Sequence, residues 1–357
     1  MSQPFDLWDQ AVLTDLVVRP ITSQYEDQPR LGDAIAPITP IQSRVAKIRT
    51  YETKAFGVGQ FKAPDATPAL YKPDQVWGER IVELVLLEEM ERIGGEDWIK
   101  LNSSDETVAR SAGVDLIDRG KILQTRNERL TEKLRWDALL NGVVNITYPS
   151  GQKQTLDYGY LPTHKVTAGT LWSDTANADP IANIRAWSNV LGADSGYYGL
   201  HLHMSSETYD YLVNNAKVRS YLTATDRSML ILTKANKKTL LHDSTDITIY
   251  DNGYRDESVV TAPNSLSSRG IPNSLTRFLP PGYVLLTTDY SIDGTPIADT
   301  LDGQVLVAEQ WNKISIKQGP QAEVILDPMS KNHFLRVASA RVPRIIYSEA
   351  VLVAKVA

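Results

Sequence analysis

Residues Arg129 to Gly159 read RLTEKLRWDALLNGVVNITYPSGQKQTLDYG, and this stretch decides the fold because it joins a helix to a hairpin. Gly142 follows the helical pattern directly and therefore predicts the C-terminal end of the helix. Short apolar runs flank Pro149-Ser150-Gly151, a sequence typical of a tight turn. We therefore expect two antiparallel strands, Val143 to Tyr148 and Gln152 to Tyr158.

The helix extends far upstream of this stretch. Ser103 and Glu106 have the spacing of a capping box, which predicts a helix from about Asp105 to Asn141. Such a helix would be about 55 Å long at ~1.5 Å per residue, and Gly113 and Gly120 are the positions where it would bend. An apolar stripe predicts the face that packs on a sheet, and it comprises Leu116, Leu123, Leu130, Leu134 and Ala138.

The first 40 residues hold little apolar material for a core of their own. Apolar residues that recur at spacings of three to five predict a short amphipathic helix that ends before Arg19-Pro20, and these residues are Phe5, Leu7, Trp8, Val12, Leu13 and Leu16. From there to Pro40, four prolines and few periodic positions predict an extended arm. Because the arm has no local core, we expect it to need another surface to lie on.

A projecting hairpin or loop is predicted next. Gln42 to Phe56 shows period-2 stretches, Gly57-Val58-Gly59 offers a turn, and Gln60 to Tyr71 returns through two prolines. Arg80 to Leu87 (RIVELVLL) is ambiguous between a strand and the start of a helix, and its β-branched residues favour the strand.

The remainder of the chain mixes helices with short strands, which predicts an α+β architecture. Asp179-Pro180 has the pattern of a helix start, and Leu200 to Met204 alternates as a strand before a helix capped by Ser205 or Ser206. Further short strands are expected at Ile247 to Tyr250, Tyr283 to Thr287 and Gln304 to Ala308. The end of the chain, Ile345 to Val356, is predicted to be one strand.

Composition narrows the classes of function. A chain of 357 residues is long enough for about two domains, and its 42% of apolar residues allows a sizeable core. There is no cysteine, so disulfides, thiolate metal sites and cysteine nucleophiles are excluded. A net charge of −6 disfavours a protein that grips phosphates and is compatible with a container for nucleic acid. No apolar run approaches a membrane span and no secretory signal is present, so we expect a cytoplasmic protein when made.

The search for catalytic or metal-binding groups finds little. His201 and His203 share one face of a predicted strand, yet no third ligand lies near them in sequence, so we interpret them as ordinary strand histidines. We interpret the acidic cluster Asp289, Asp293, Asp299 and Asp302 as a solvated turn region, because its spacing does not match a calcium loop.

Other charged runs are interpreted in the same way. Glu88, Glu89 and Glu91 are expected to form an exposed face or to partner arginines. A solvated surface is expected for the basic residues Lys217, Arg219, Arg227, Lys234, Lys237 and Lys238. Neither a phosphate-binding GxxxxGK[ST] loop nor a GxSxG nucleophile elbow occurs. We therefore expect no enzyme activity, no cofactor and no metal.

Four segments occur in a characteristic order along the chain. They are a Pro-rich loop at Phe61 to Asp74, the helix–hairpin unit at Arg129 to Gly159, a Trp-Ser…Asp-Pro entry at Thr170 to Ser173 with Asp179 to Ile181, and Tyr250-Asp251 followed by a Phe-Leu-Pro segment at Phe278 to Leu285. This order resembles the major capsid proteins of tailed bacteriophages of the lambda type, the capsid protein E family. The resemblance covers most of the chain from about residue 60 to 356.

The resemblance implies the capsid fold first known from the Hong Kong 97 phage. The expected parts are an N-terminal arm (1–41), an extended E-loop (42–80), a P-domain (81–170), an A-domain (171–340) and a closing P-domain strand (341–357). The P-domain would contain the spine helix at about 105–141 and the hairpin at 143–158. The arm and the E-loop would lie on neighbouring subunits. The contact residues expected there are Phe5, Leu7, Trp8, Arg44, Arg49, Lys54, Phe56, Phe61 and Lys62.

The implied function is self-assembly as pentamers and hexamers into an icosahedral head that encloses viral double-stranded DNA. The partners would be further copies of the chain, portal and scaffolding proteins, a decoration protein, and packaged DNA held non-specifically, with no membrane. The chain starts without a long charged helical leader, so scaffolding is expected to be separate or already removed. Assembly is expected in the host cytoplasm and the final location is the virion. The alternatives are an encapsulin-like container, a minor virion component, or an enzyme such as a glycoside hydrolase.

Overall fold

The structure is a computed structural model that describes residues 30–50, 78–148, 150–199, 201–221, 246–255, 275–292, 294–310, 313–326 and 332–357. Within these ranges the helices are α1 to α6: Leu31–Ile35, Gly95–Leu101, Glu106–Asn141, Pro180–Ser195, Ser206–Asn214 and Ala216–Tyr221. Two 3-10 turns occur at Pro162–His164 and Ser348–Ala350.

Two five-stranded sheets and five two-stranded ones hold the described strands. The strands are β1 to β20: Ile38–Pro40, Val45–Thr50, Gly78–Glu83, Val85–Ile93, Val143–Thr147, Lys153–Asp157, Lys165–Thr167, His201–Met204, Asp246–Ile249, Gly253–Tyr254, Thr276–Arg277, Tyr283–Thr287, Ser291–Ile292, Thr295–Pro296, Ala298–Asp302, Gln304–Gln310, Lys313–Gln318, Gln321–Leu326, His333–Ile345 and Val351–Lys355. The mixture confirms the α+β class.

Helix α3, the spine helix, runs unbroken for 36 residues. Its N-cap is Asp105, whose carboxylate accepts a hydrogen bond from the Thr107 amide at 2.9 Å. The predicted Ser103–Glu106 capping box is wrong, because Ser103 Oγ accepts a hydrogen bond from the Asp105 amide at 3.2 Å. The predicted start of the helix is correct. At the other end Gly142 adopts φ +60° as predicted. A Cβ there would lie 2.6 Å from the Tyr160 ring, so only glycine fits.

The hairpin after the spine helix is where the sequence predicts it. Strands β5 and β6 pair antiparallel from Val143 opposite Asp157 to Thr147 opposite Lys153. Val144 and Leu156 face each other and are buried against the main core, which explains the alternation seen in the sequence.

The first large sheet is organised by the 13-residue strand β19. Strand β4 pairs along one edge, while β18 and then β15 pair along the other, and β1 adds to β15 in parallel. The spine helix lies across one face of this sheet, where Leu116 and Leu123 pack against Leu335 and Val337. A helix this long needs no helical bundle here, because the sheet buries its apolar side.

The second large sheet has the order β7-β20-β12-β8-β9, and its core includes Trp172, Trp187, Leu202 and Leu352. The single strand predicted from Ile345 to Val356 is therefore wrong. Strand β19 ends at Ile345 in the first sheet, the chain turns through Ser348–Ala350, and β20 joins the second sheet beside β12. The uniform apolar pattern conceals this change of sheet, because residues in both sheets are buried on both faces.

Strands β2 and β3 form the base of the predicted E-loop. They pair antiparallel from Val45 opposite Glu83 to Thr50 opposite Gly78. This assigns Arg80 to Leu87 as strand, with a break at Leu84 between β3 and β4. The turn predicted at Gly57-Val58-Gly59 lies outside the described residues.

The predicted stripe on the spine helix is correct except at Leu130. Leu116, Leu123 and Leu134 are buried, whereas Leu130 is 40% exposed. A seven-residue repeat lags an ideal α-helix by about 20° per repeat, so the third leucine of the series has rotated towards solvent.

This difference gives a matched pair of substitutions. Leu134→Asp should reduce soluble yield and thermal stability strongly, because it buries a carboxylate without a partner at a cost on the order of several kcal/mol. Leu130→Asp places the same charge at the exposed position of the same helix and should leave the melting temperature near that of the wild type. A wild-type melting temperature for Leu134→Asp would contradict the placement of the spine helix.

Candidate functional site: a buried charge network and the exposed contact surfaces

The half of the spine helix nearest its C-terminus buries a band of polar side chains. These residues are all 5% exposed or less: Gln124, Asn127, Glu128, Thr131, Glu132 and Arg135. Burial of charge on this scale is stable only where each group finds a partner of opposite charge or a hydrogen bond. The partners come from the end of the arm, from β15 and β19, and from the segment after β9.

Glu132 is the best-connected member of this network. Its Oε1 accepts hydrogen bonds from the Gly32 amide at 3.0 Å, Trp136 Nε1 at 2.8 Å and the Tyr250 hydroxyl at 2.9 Å. Its Oε2 accepts from Arg135 Nη1 at 3.3 Å. One carboxylate therefore joins the arm, the spine helix and the segment after β9. Burial, together with the nearby charge of Glu132, raises the pKa of Tyr250 and keeps its hydroxyl a donor.

Arg135 is fully buried beside Glu132 and links the helix to the arm and to β15. Its Nε donates to Thr300 Oγ1 at 2.6 Å, and Nη1 donates to the carboxylate of Asp33. Thr300 Oγ1 in turn donates to the Ala36 carbonyl at 3.1 Å. The guanidinium thus holds the arm through two separate contacts.

A second cluster lies one turn earlier on the helix. Glu128 Oε1 accepts from Arg341 Nη1 at 2.7 Å, and its Oε2 accepts from Arg30 Nη1 at 3.3 Å. Arg341 also approaches Asp302, with 3.3 Å between Nε and Oδ1. Burial raises the pKa of Asp302, and the nearby Arg341 opposes that rise.

The solvated-turn interpretation of the acidic cluster is wrong for two of its members. Asp299 is 1% exposed and forms a bidentate pair with Arg344, at 2.8 and 2.6 Å. Asp302 is likewise buried, whereas Asp289 is exposed as expected. Asp293 lies outside the described part of the chain. The spacing of these residues in the sequence did not predict their burial, because β15 lies between β1 and β19 in the sheet and the arginines that pair with Asp299 and Asp302 come from β19.

The glutamates of β4 contact arginines, as the sequence suggested. Glu88 pairs with Arg336 at 2.6 Å. Glu89 and Glu91 face the spine helix, at 3.3 Å from Arg126 and 3.9 Å from Arg119. These partly exposed pairs orient β4 on the helix and have no geometry for acid–base chemistry.

The two strand histidines share one face, as predicted, with ring centroids 6.2 Å apart. His201 stacks on Tyr290 at 4.3 Å, and its Nε2 lies 3.8 Å from Asp289 Oδ1. His203 is fully buried, and neither of its ring nitrogens has a hydrogen-bond partner. Burial, with a smaller contribution from His201, lowers the pKa of His203 to about 3. Across the described ranges, no group of three or more His, Cys, Asp or Glu side chains could hold a metal ion.

Of the predicted contact residues, two fall within the described chain. Arg44 precedes β2 and is half-buried, and its carbonyl accepts a hydrogen bond from the Leu84 amide at 2.8 Å. Arg49 lies in β2, opposite Glu79. The other predicted contacts lie outside the described residues: Phe5, Leu7, Trp8, Lys54, Phe56, Phe61 and Lys62.

The predicted basic surface is described only in part. Lys217 Nζ lies 3.5 Å from Asp179 Oδ2, and Arg219 donates to Asn214 Oδ1 at 2.8 Å. Arg227, Lys234, Lys237 and Lys238 lie outside the described residues. Of the helices that the structure describes, none is long and apolar enough to cross a membrane.

Large apolar side chains are exposed at several places that the sequence did not single out. In the hairpin of β16 and β17, Leu306 lies opposite Ile316, and both are exposed. Val305 and Val307, which alternate with Leu306, are buried, so one face of this hairpin packs on the body and the other is open. Ile314 of the same hairpin is also exposed, and the most exposed of these side chains elsewhere include Ile81, Met90, Ile99 and Ile122.

The buried His203 predicts a specific dependence of stability on pH. The unfolded chain binds a proton at His203 below about pH 6.5, whereas the folded chain excludes it until about pH 3. Stability is therefore lost as pH falls below 6.5, by up to about 1.4 kcal/mol per pH unit from this group. Between pH 7 and pH 5, the wild type should lose about 2 kcal/mol more unfolding free energy than His203→Gln. Denaturant titrations at both values measure this, and parallel losses in the two proteins would contradict it.

Comparison with known proteins agrees with this geometry. Residues 103–299, more than half of the chain, match the family model described as phage major capsid protein E. A phage-related protein from Bordetella bronchiseptica RB50 superposes with a TM-score of 0.53 at 15% identity, covering 96% of this chain and 95% of its own. A prophage capsid protein from Escherichia coli CFT073 gives 0.56 at 14% identity, covering 95% and 97%. No curated protein matches the sequence.

The structural matches are too distant in sequence to show more than the fold, which is the Hong Kong 97-like capsid fold expected from the sequence. The function is assigned from the family match, which spans the spine helix, the hairpin and the greater part of the second sheet. The chain belongs to the phage major capsid protein E family and is a shell-forming structural component of a virion.

Proposed function

We propose that the chain assembles as pentamers and hexamers into a closed icosahedral head around double-stranded DNA. The observation that carries the proposal is the exposed apolar surface on a body whose own core is already closed. On the open face of the hairpin of β16 and β17, Leu306 is 44% exposed, Ile314 69% and Ile316 61%. A group of exposed apolar side chains on one face of a hairpin is typical of sites that other chains cover. Many modest contacts of this type, repeated by symmetry, would sum to a stable shell.

The E-loop and the arm are the parts that we propose to reach neighbouring subunits. The E-loop leaves the body through β2 and β3, where Val45 and Ile81 are exposed. The proposed arm is shorter than the 1–41 expected from the sequence, because residues 30–41 pack on their own chain, with Ile35 and Ala36 fully buried. Residues 1–29, with Phe5, Leu7 and Trp8, remain as the segment proposed to contact a neighbour.

The further partners remain part of the proposal. They are portal and scaffolding proteins, a decoration protein and packaged DNA, with assembly in the host cytoplasm. The net charge of −6 supports non-specific rather than tight contact with DNA. The division into E-loop 42–80, P-domain 81–170 with 341–357, and A-domain 171–340 is also part of the proposal. We propose no catalysis, because most of the acidic residues that we considered pair with arginines in the described part of the chain: Glu88, Glu89, Glu91, Asp299 and Asp302.

The alternative is another shell-forming role, as an encapsulin-like container or a minor virion component. Negative-stain microscopy of particles from expressed protein tests for a closed shell built from this chain alone. Nucleic-acid content and copy number in purified virions separate a major head protein from the alternatives. A single copy or a few copies per virion would contradict the major role.

Truncation at the boundary of the described chain tests the arm. A variant that lacks residues 1–29 keeps Arg30 and its contact with Glu128, so it should give a folded body with a melting temperature near that of the wild type. It should not form closed shells, because the apolar arm residues are lost. A variant that lacks residues 1–41 is the control, and it should melt lower because it also removes Ile35. Normal particles from the shorter deletion would overturn the proposed role of the arm.

A further inference from the structure

Residues 30–41, the last part of the arm expected from the sequence, form a discrete strap across the body. The strap consists of α1, a short connection and β1. Three kinds of contact hold it: charged hydrogen bonds to the spine helix, the buried side chains of Ile35 and Ala36, and parallel pairing of β1 with β15. Each kind involves only a few residues, so whether the strap opens as one unit depends on whether the three kinds of contact are coupled.

The charged contacts concentrate on Gly32 and its neighbours. The Gly32 amide donates to Glu132, and a Cβ at this position would lie 2.2 Å from Glu132 Oε2. The carboxylate is fully buried, so it has little room to withdraw. Asp33 and Arg30 flank this contact through Arg135 and Glu128. The close contact between the Gly32 backbone and the buried Glu132 carboxylate, called the latch below, therefore holds the strap on the spine helix.

Thr300 couples the latch to the strand pairing. Its hydroxyl accepts from Arg135 Nε and donates to the Ala36 carbonyl, while its amide donates to the Pro37 carbonyl at 2.8 Å. At the far end, the Ile41 amide donates to the Asp302 carbonyl at 2.8 Å. Movement of the strap away from Glu132 would disturb Arg135 and Thr300, and with them the hydrogen bonds of β1.

The strap also has little apolar burial for its length. Only Ile35 and Ala36 are fully buried in the main core, Leu31 and Ile41 pack partly against it, Ile38 is 43% exposed, and β1 has only three residues. By contrast, β19 pairs along both of its edges and is covered by the spine helix. Segments with few buried apolar contacts open at lower free energy than the core of the same protein.

We infer that residues 30–41 open as one cooperative unit ahead of the rest of the fold, and that the contact of Gly32 with Glu132 is the latch. Opening would expose Ile35 and the edge of β15. It would let residues 30–41 detach without unfolding the body. It is a property of the single chain and does not rest on the shell geometry proposed above.

Hydrogen exchange of the full-length protein, followed by mass spectrometry, tests this inference. Peptides from residues 30–41 and the peptide that contains Thr300 should show the same opening equilibrium, well above that of the spine helix. Gly32→Ala should raise exchange in all of these peptides together by about tenfold or more, as expected for loss of a hydrogen bond to a buried carboxylate. Gly113→Ala is the matched control, since a Cβ there meets nothing within 4 Å, and it should leave strap exchange unchanged.

Asp33→Asn provides a milder variant if Gly32→Ala fails to fold, because the Asp33 side chain is 45% exposed and only its charge is removed. It should raise exchange in the same peptides by a smaller factor. Exchange of strap peptides at the rate of the spine helix would overturn early opening. A rise confined to residues 30–36, with the Thr300 peptide unchanged, would overturn cooperativity.

Discussion

Pairing between buried carboxylates and guanidinium groups is the constraint on which the body of this protein depends. Glu128 and Glu132 lie on the face of the spine helix that meets the sheet and the arm, where an unpaired charge would be very costly. Arg341 and Arg135 supply the positive charge at 2.7 and 3.3 Å. Removing one partner of such a pair typically costs about 3–5 kcal/mol, because the other is left buried and uncompensated. We therefore expect these pairs to favour one register of the helix on the sheet, whereas a purely apolar face would tolerate several.

That constraint also explains how the parts of the body meet. The charged band occupies the half of the spine helix where its apolar stripe is interrupted by Asn127, Thr131 and Arg135. The other half, with Leu116 and Leu123, packs against the sheet through ordinary apolar contacts. The N-terminal half of the helix thus binds the sheet through non-directional apolar contacts. The C-terminal half specifies the position of the helix by directional hydrogen bonds. The arm and the segment that carries Tyr250 both join at the C-terminal half.

The features that could be predicted from sequence are those that depend on neighbouring residues. Gly142 ends the spine helix, Asp179-Pro180 begins α4, and Ser150-Gly151 lies between β5 and β6. The errors concern long-range partners. Asp299 and Asp302 resembled a solvated turn because arginines 39 to 45 residues away were invisible in the local pattern. The end of the arm resembled a loose segment because its anchors, Glu128 and Glu132, lie about 100 residues further along the chain.

The separation of polar and apolar interactions suits a subunit that must be rigid in itself and adhesive towards its copies. Within the body, charge pairs such as Asp299 with Arg344 fix the angles between strands, since they are directional and lose energy when distorted. On the outside, Leu306, Ile314 and Ile316 offer apolar contact, which is non-directional and proportional to area. A closed shell requires both properties. Rigid bodies transmit a fixed geometry from one subunit to the next, whereas non-directional contacts tolerate small differences between the surroundings of the subunits.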